Sequence, residues 1–467
     1  MENKLTFVRR AAVAFAVSII AASYCGAEEF SLGQALAMAR QNDPIYLATR
    51  AKLNAALARR SQARSYLLPQ LAIKGSANRV DRDYETLDTV IARPDEITKY
   101  DGYSAQLTLT QSLYRRASIL GIGQANAELR RAEEEALAAE QDLLLRLAQA
   151  WLDGMSTEDL QTHSESRSAA ARRQWDQLEK ATSIDLASTP ALAEARAKFE
   201  QAAAERIAVA SEREAKLSEL EQIVGPLPVV RFPTLSHMYA PPVLAGRTLE
   251  DWLEIADADN PTVNAARAAL IAANSEVRRQ RAGHEPTLDL VSSYSLNNQG
   301  EGNFPGQAGY NILQKSIGVE FNMPIYQGGL QSAKVREALA ARSQAEQELQ
   351  GAMRTARSVA RNAWFAWQAG NARQLAGVQS VRAATLALRA ATVGVTEQLK
   401  FDLDVLEARE QLLDVWSQAQ KARYETIIEW LKLKAVTGVL RDEDLLEIET
   451  HWTPRTSELQ LLTETHS

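Results

Sequence analysis

The chain carries the same design twice, and that duplication limits what it can fold into more than any single motif. Between Ser316 and Arg336, the apolar residues Ile317, Val319, Phe321, Met323 and Ile325 alternate with the small or polar Ser316, Gly318, Glu320 and Asn322. A period of two marks a strand with one apolar and one polar face. Pro324, Tyr326 and Gly328-Gly329 form the turn at its end. A helical pattern then starts at Leu330 and meets no proline until Pro454. The earlier copy sets Ala105, Leu107, Leu109, Gln111 and Leu113 against Ser104, Gln106, Thr108, Thr110 and Ser112, with Tyr114 in the place of Tyr326. In each half, a two-faced strand feeds directly into a very long helix.

Other landmarks repeat at a nearly constant spacing. Asp43-Pro44 answers Asn260-Pro261, and Leu68-Pro69 answers Glu285-Pro286. Ala150-Trp151 answers Ala363-Trp364, Glu194-Ala195-Arg196 answers Glu407-Ala408-Arg409, and Gly225 answers Gly438. Prolines held in register over such a distance mark an internal duplication. Each half opens with a helix of about 35 residues, Ser31 to Arg64 and Thr248 to Ala282, capped by Ser or Thr. A strand pair follows, at 70–78 and 103–113 in the first half and at 287–297 and 315–325 in the second. Next comes a helix of roughly 60 residues, Ala117 to Lys180 and Leu330 to Thr392, on the order of 90 Å long. A short break leads to a returning helix, Ala191 to Val224 and Leu403 to Val436. The repeats therefore occupy 28–230 and 248–440. The connector at 231–247 lies in a stretch, Gly225 to Arg247, that carries five prolines. Residues 441–467 read as an irregular tail.

Met1 to Ala27 reads as a secretory signal. Lys4, Arg9 and Arg10 make a basic start, and Ala11 to Ala22 is apolar but short for a bilayer span. Cys25-Gly26-Ala27 places small residues before a cut at Glu28. A lipoprotein cut before Cys25 is the rival, and Tyr24 in front of that cysteine weighs against it. After removal to Ala27 the chain has no cysteine for a disulfide, metal or catalysis. The formal charge of −7 for the whole chain becomes about −9 for the mature one, which disfavours nucleic acid as a partner. No later stretch is long and apolar enough for a membrane helix, so any membrane passage uses strands.

Long, alanine-rich amphipathic helices call for coiled-coil packing against close neighbours. Strands of about 9 to 11 residues suit a tilted crossing of an outer membrane. One chain offers four of them, and four cannot close a barrel, while an open edge in lipid is prohibitively costly. Three copies supply twelve strands for a wide barrel and bring their helices together in a tube.

With these features the chain resembles the TolC family of outer-membrane channel tunnels. The motifs that carry the resemblance are Asn42-Asp43-Pro44, Pro69-Gln70-Leu71, Met323-Pro324-Ile325-Tyr326-Gln327-Gly328-Gly329, Leu403-Asp404-Val405-Leu406-Glu407-Ala408, Val436-Thr437-Gly438-Val439-Leu440 and Asp444-Leu445-Leu446. They span nearly the whole mature chain in order. The resemblance implies a mainly α fold with a small β part. It further implies a homotrimer whose coiled-coil helices form an α-barrel in the periplasm of a Gram-negative cell and whose strands form a twelve-stranded transmembrane β-barrel in outer-membrane lipid. The implied function is an exit duct for a tripartite exporter, serving type I protein secretion, drug efflux or both. The implied partners are a periplasmic adaptor (membrane fusion) protein and an inner-membrane pump of the ABC or proton-driven kind, with no enzymatic activity. A dedicated small-molecule efflux duct is the alternative within the class, and a periplasmic coiled-coil scaffold without a channel is the alternative outside it.

The resemblance also points to site residues at the periplasmic tip. Asp404 and Glu407 match the acidic positions that line the narrow end of such tunnels, and a separation of three puts them on one helix face. On three symmetric chains they would stack as acidic rings that favour cations. A solvated acidic helix start that complements the helix dipole is the plainer reading of the same residues. Lys400, one turn ahead of Asp404, is placed either for a closing latch or for a surface pair. Val393, Gly394, Val395 and Thr396 resemble the element that meets the adaptor. About four extra residues lie between Gly394 and Asp404 relative to the family pattern, and Pro190-Ala191 stands where the first half is expected to carry an aspartate.

No chemistry competes with this reading. His163, His237, His284, His451 and His466 are scattered without ligand spacing, so no metal or other cofactor is expected. Gly121-Ile122-Gly123 lacks the strand context of a dinucleotide site. Trp364 and Trp367 share a helix face as packing residues. No nucleophile, base and oxyanion arrangement supports an enzyme.

Overall fold

The computed structural model describes residues 30–84, 96–184, 188–228, 230–235, 247–301, 308–397 and 402–453. The leader Met1–Ala27 with Cys25, Lys400, His237, His466, most of the connector and residues 454–467 lie outside them. In chain order the elements are α1 (Leu32–Asn42), α2 (Pro44–Ser65), β1 (Gln70–Tyr84), β2 (Glu96–Tyr114), α3 (Arg116–Ser183), α4 (Thr189–Val224) and β3 (Thr234–Leu235). Then follow α5 (Leu249–Asp259), α6 (Pro261–Arg281), a single 3-10 turn at Ala282–His284, β4 (Thr287–Gln299) and β5 (Tyr310–Asn322). The chain continues with α7 (Leu330–Thr396), α8 (Asp402–Val436), α9 (Asp442–Glu449) and β6 (Trp452–Thr453). The fold is mainly helical with a small β part. Among the described residues no helix is long and apolar enough to cross a membrane.

The helix predicted over Ser31 to Arg64 is two helices, as is the one predicted over Thr248 to Ala282. Each breaks at its proline, because the proline ring pushes the preceding residue out of the helical region. Asp43 has φ −66° and ψ 116°, and Asn260 has φ −59° and ψ 121°. Both then cap the second helix. Asp43 Oδ2 accepts from the Tyr46 amide at 2.8 Å, and Asn260 Oδ1 accepts from the Val263 amide at 2.9 Å. Pro44 and Pro261 occupy the first helical turn, where a missing N–H costs nothing.

The described residues fall into two compact units, and each draws on both halves of the sequence. One comprises Ala48–Ala139 and Glu250–Val359 and holds a single antiparallel sheet in the order β1-β2-β4-β5. Here Ala56, Leu129 and Ala132 form a small core with Leu53 between α2 and α3. All four predicted strands need new limits, the one predicted at 287–297 running on to Gln299. The first hairpin runs well beyond 78 and 103, pairing down to Tyr84 and Glu96. The strand predicted at 315–325 is Tyr310–Asn322. It starts earlier because Tyr310 pairs with Gln299, and it stops before Pro324, which has no N–H to give a ladder.

The other unit comprises the chain up to Leu47, Glu140–Leu249 and Ala360 onward. Its core is built on Trp151, which is fully buried. Trp452 stacks on this ring at 5.6 Å, Phe232 meets it edge-on at 5.3 Å, and Phe30 lies 5.8 Å away. The tail expected to be irregular after Arg441 instead forms α9 and β6. Asp442, Glu443 and Asp444 crowd the first turn of α9, where they complement its dipole, and Asp444 Oδ2 accepts from the Arg441 amide at 2.9 Å. β6 pairs with β3 from the proline-rich stretch, Leu235 opposite Trp452. An ion-pair fork closes α9 onto α1: Arg40 donates to both carboxylate oxygens of Asp442 (2.7 and 2.8 Å) and to Glu140 on α3 (2.8 Å). These carboxylates hold the Arg40 pKa above its ordinary value, the hydrogen bond to Asp442 contributing most.

Candidate functional site

The register sorts the sheet into two faces. On one, cross-strand neighbours form the rungs Phe321–Leu288–Tyr114, Val319–Leu290–Gln111, Ile317–Ser292–Leu109–Leu71, Lys315–Tyr294–Leu107–Ile73 and Leu313–Leu296–Ala105–Gly75. The next rung, Asn311–Asn298–Tyr103–Ala77, is polar and aromatic. Beyond it, ion pairs Arg79–Asp101 (2.9 Å) and Lys99–Asp81 (3.0 Å) occupy the same hairpin. Successive rungs are two residues apart, so five of them at the usual tilt make an apolar band of roughly 20 Å, close to the band of an outer-membrane barrel. The opposite face is lined mainly by Ser, Thr, Gln and Asn, including hydroxyl pairs Ser293–Ser316 at 2.8 Å and Ser76–Ser104 at 2.9 Å.

Among the described residues nothing covers the apolar face. Ile73 is 79% exposed and Ile317 76%, and they stand on β1 and β5, the two edges of the sheet. Long edges of this kind invite pairing with another chain.

The two strand-to-helix joins differ. In the second half β5 stops at Asn322, and Pro324 and Tyr326 lie between strand and helix, with Tyr326 85% exposed. Gly328 and Gly329 then turn the chain at φ 61° and 84°, a conformation that disfavours side chains. In the first half β2 runs to Tyr114, and α3 starts at Arg116. That join is fastened by polar contacts: Tyr114 Oη donates to Glu285 at 3.1 Å, Arg115 to Asp289 at 2.6 Å, and Arg116 sits 3.3 Å from Glu285. The repeats therefore use glycine freedom once and ion pairs once for the same connection.

At the other predicted site, Val393, Gly394, Val395 and Thr396 form the last turn of α7, with Val393 56% exposed. Thr396 Oγ1 bonds back to the Thr392 carbonyl at 3.1 Å. Asp404 and Glu407 lie in the first turns of α8, Asp404 half-buried and Glu407 exposed. Glu407 and Glu410 line a cavity of about 220 Å³ whose other walls are Arg167 and Gln174 of α3 and Lys198 and Gln201 of α4. The structure thus brings Glu407 into a groove shared with two basic residues of the same chain. Lys400 lies outside the described residues.

Two features near this groove escape a reading by periodicity. Trp175 of α3 stacks on Phe199 of α4 at 5.3 Å, with the Arg172 guanidinium 4.5 Å above the Trp175 ring. The matching positions of the second half hold Leu388 and Leu412. That mismatch between repeats is the signal that marks the aromatic pair. In addition, α3 docks on α8 through Tyr424 Oη, which donates to the buried Asp159 at 2.8 Å, and His163 stands 3.3 Å from Asp414. Trp364 and Trp367 contact each other at 5.7 Å along α7.

Comparison with known proteins gives one consistent answer. The family model described as outer membrane efflux protein matches residues 35–226 and again 252–439. The chain is similar to the outer membrane protein TolC of Vibrio cholerae serotype O1, with 26% identity over 422 residues, 90% of this chain and 93% of that one. It is also similar to the proteases secretion protein PrtF of Dickeya chrysanthemi, with 28% identity over 457 residues, 94% and 95% of the two chains. Among solved structures, the Campylobacter jejuni CmeC outer membrane channel superposes with a TM-score of 0.72 over 90% of each chain at 16% identity.

Proposed function

The chain belongs to the outer membrane efflux protein family, and we propose that three copies of it form the outer-membrane exit duct of a tripartite exporter. The observation that carries this reading is the four-stranded sheet with an uncovered apolar band on one face, a hydroxyl- and amide-rich opposite face, and two open edges. A lipid-facing sheet cannot keep open edges, because unpaired backbone groups have no partner in hydrocarbon. β1 of one copy and β5 of the next supply the missing pairs, and three copies close a barrel of twelve strands. The apolar faces then meet lipid, and the polar faces line a lumen.

Residues 28–230 and 248–440 act as the two repeats of this duct, joined by 231–247, with 441–467 as the tail. The duct itself performs no chemistry. An inner-membrane pump supplies the energy, and a periplasmic adaptor meets the tip at Val393 to Thr396. Asp404 and Glu407 narrow the passage. Similarity to a protease secretion protein along nearly the whole chain favours type I protein secretion as the task. The test is to extract the protein from outer membranes in detergent, measure its oligomeric size and reconstitute it in planar bilayers. A trimer with steady conductance is expected. A water-soluble, non-conducting species would overturn the reading.

A further inference from the structure

The lipid-facing band contains one cation among the described residues, Lys315. It stands on β5 in the fourth of the five apolar rungs, counting from the helix-joined end of the sheet, beside Tyr294 and Leu107. Its Nζ lies 5.6 Å from the centre of the Tyr294 ring. A lysine in hydrocarbon is expensive and needs either a counter-charge or a route to water. The carboxylates Asp101 and Asp81 lie on the same face but three or more rungs farther out, already paired with Arg79 and Lys99. Glu320 lies at odd register from the carboxylate-free apolar rungs, on the opposite face beside Asp289.

On the β1 edge, which a neighbouring copy would set beside β5, the same face carries Leu71, Ile73, Gly75 and Ala77 before the ion-paired Arg79 and Asp81. Only Leu313 and its rung separate Lys315 from the polar belt that begins at Asn311, Asn298 and Tyr103. A lysine stem is long enough to carry its ammonium across one rung to the headgroup level.

We infer that Lys315 binds the phosphate of an anionic lipid headgroup in the leaflet farther from the long helices. This rests on the membrane-barrel reading given above. The Tyr294 ring holds the ammonium at the band's edge, where the phosphate supplies the missing negative charge. An apolar or neutral residue would fit the rung as well, so the cation has a use that packing does not explain.

The test uses the full-length protein assembled into nanodiscs of phosphatidylcholine alone or mixed with phosphatidylglycerol, with retained lipid counted by native mass spectrometry. The wild type is expected to retain phosphatidylglycerol preferentially. Lys315→Gln should reduce that retention about fivefold, the effect of one basic residue near an anionic surface, and Lys315→Arg should restore it. Retention of phosphatidylcholine should be the same in all three proteins. Equal phosphatidylglycerol retention in Lys315→Gln and wild type would overturn the inference. Release of the lipid by inorganic phosphate, at an ionic strength where chloride releases none, would also overturn it, because the occupant would then be free phosphate. A protein that enters neither type of nanodisc would defeat the barrel reading itself, a result distinct from insertion without lipid preference.

Discussion

Gly154 lies directly beneath the ring of Phe232: a Cβ at position 154 would stand 2.4 Å from the ring's Cζ. Phe232 in turn meets Trp151 edge-on, so the missing side chain on α3 is what lets the proline-rich stretch lie down on the aromatic core. Gly154→Ala forces the ring out or bends the helix, and overpacking of this kind costs about 1–3 kcal/mol. The expected outcome is a lowered apparent melting temperature in detergent. Phe232→Ala in the same chain should relieve the clash, so the double variant should be less destabilised than the two single effects summed.

Much of this architecture is legible in the sequence, and the illegible part has physical causes. Alternation at Ile317 to Phe321 and at Ala105 to Leu109 gives the faces of the sheet, because a strand's side-chain period is fixed. The repeated Asp43-Pro44 and Asn260-Pro261 also announce a helix break, yet the apolar periodicity on both sides masks it and suggests one continuous helix. The length of the first hairpin is hidden because Arg79–Asp101 and Asp81–Lys99 read as loop-like charge until their cross-strand pairing is known. The α9 and β6 tail is missed because its partners, Trp151 and Leu235, are remote in sequence. At the start of α8, spacing puts Asp404 and Glu407 on one helix, but it carries no hint of the groove with Arg167 and Lys198.

The two faces of β5 make opposite predictions for neighbouring residues. Ile317 is in the middle rung of the apolar band, while Ser316 faces the other way and bonds Ser293 at 2.8 Å. An arginine near the midplane of a barrel's lipid face costs about 2–4 kcal/mol, whereas one in an aqueous lumen costs far less. Ile317→Arg should sharply reduce the heat-resistant assembled form on electrophoresis. Ser316→Arg should assemble and instead lower the single-channel conductance to cations. Equal assembly of both variants would show that the face assignment is wrong.

Acid sensitivity should have a contribution from Glu276 on α6. Burial alone would raise its carboxyl pKa, but hydrogen bonds from Arg279 at 2.7 and 2.8 Å and from Gln280 outweigh it and hold the pKa below the ordinary 4.5. A carboxylate with a depressed folded pKa stabilises the fold above its unfolded value, and that stability is lost as pH falls through the folded one. Glu276→Gln should therefore cost on the order of 1 kcal/mol at neutral pH. The difference from wild type should shrink below about pH 4.5, as measured by denaturant unfolding across that range.

The acidic start of α8 allows two outcomes that a single experiment separates. If Asp404 and Glu407 narrow the passage, their charges act on ions in transit. The double variant Asp404→Asn with Glu407→Gln should then weaken block by trivalent cations at least tenfold in planar-bilayer recordings, since stacked rings bind such ions cooperatively. If Glu407 instead serves mainly the groove with Arg167 and Lys198, which already pair with Glu205 at 3.0 Å and Glu194 at 3.2 Å, its neutralisation removes one carboxylate among several. That would change stability by less than about 1 kcal/mol, as expected for an exposed charge, and would leave the block unchanged. Recording block and unfolding of the same double variant decides the matter. A ring that acts through the passage shows as a weakened block, whereas a groove role shows as a small change in stability with the block intact.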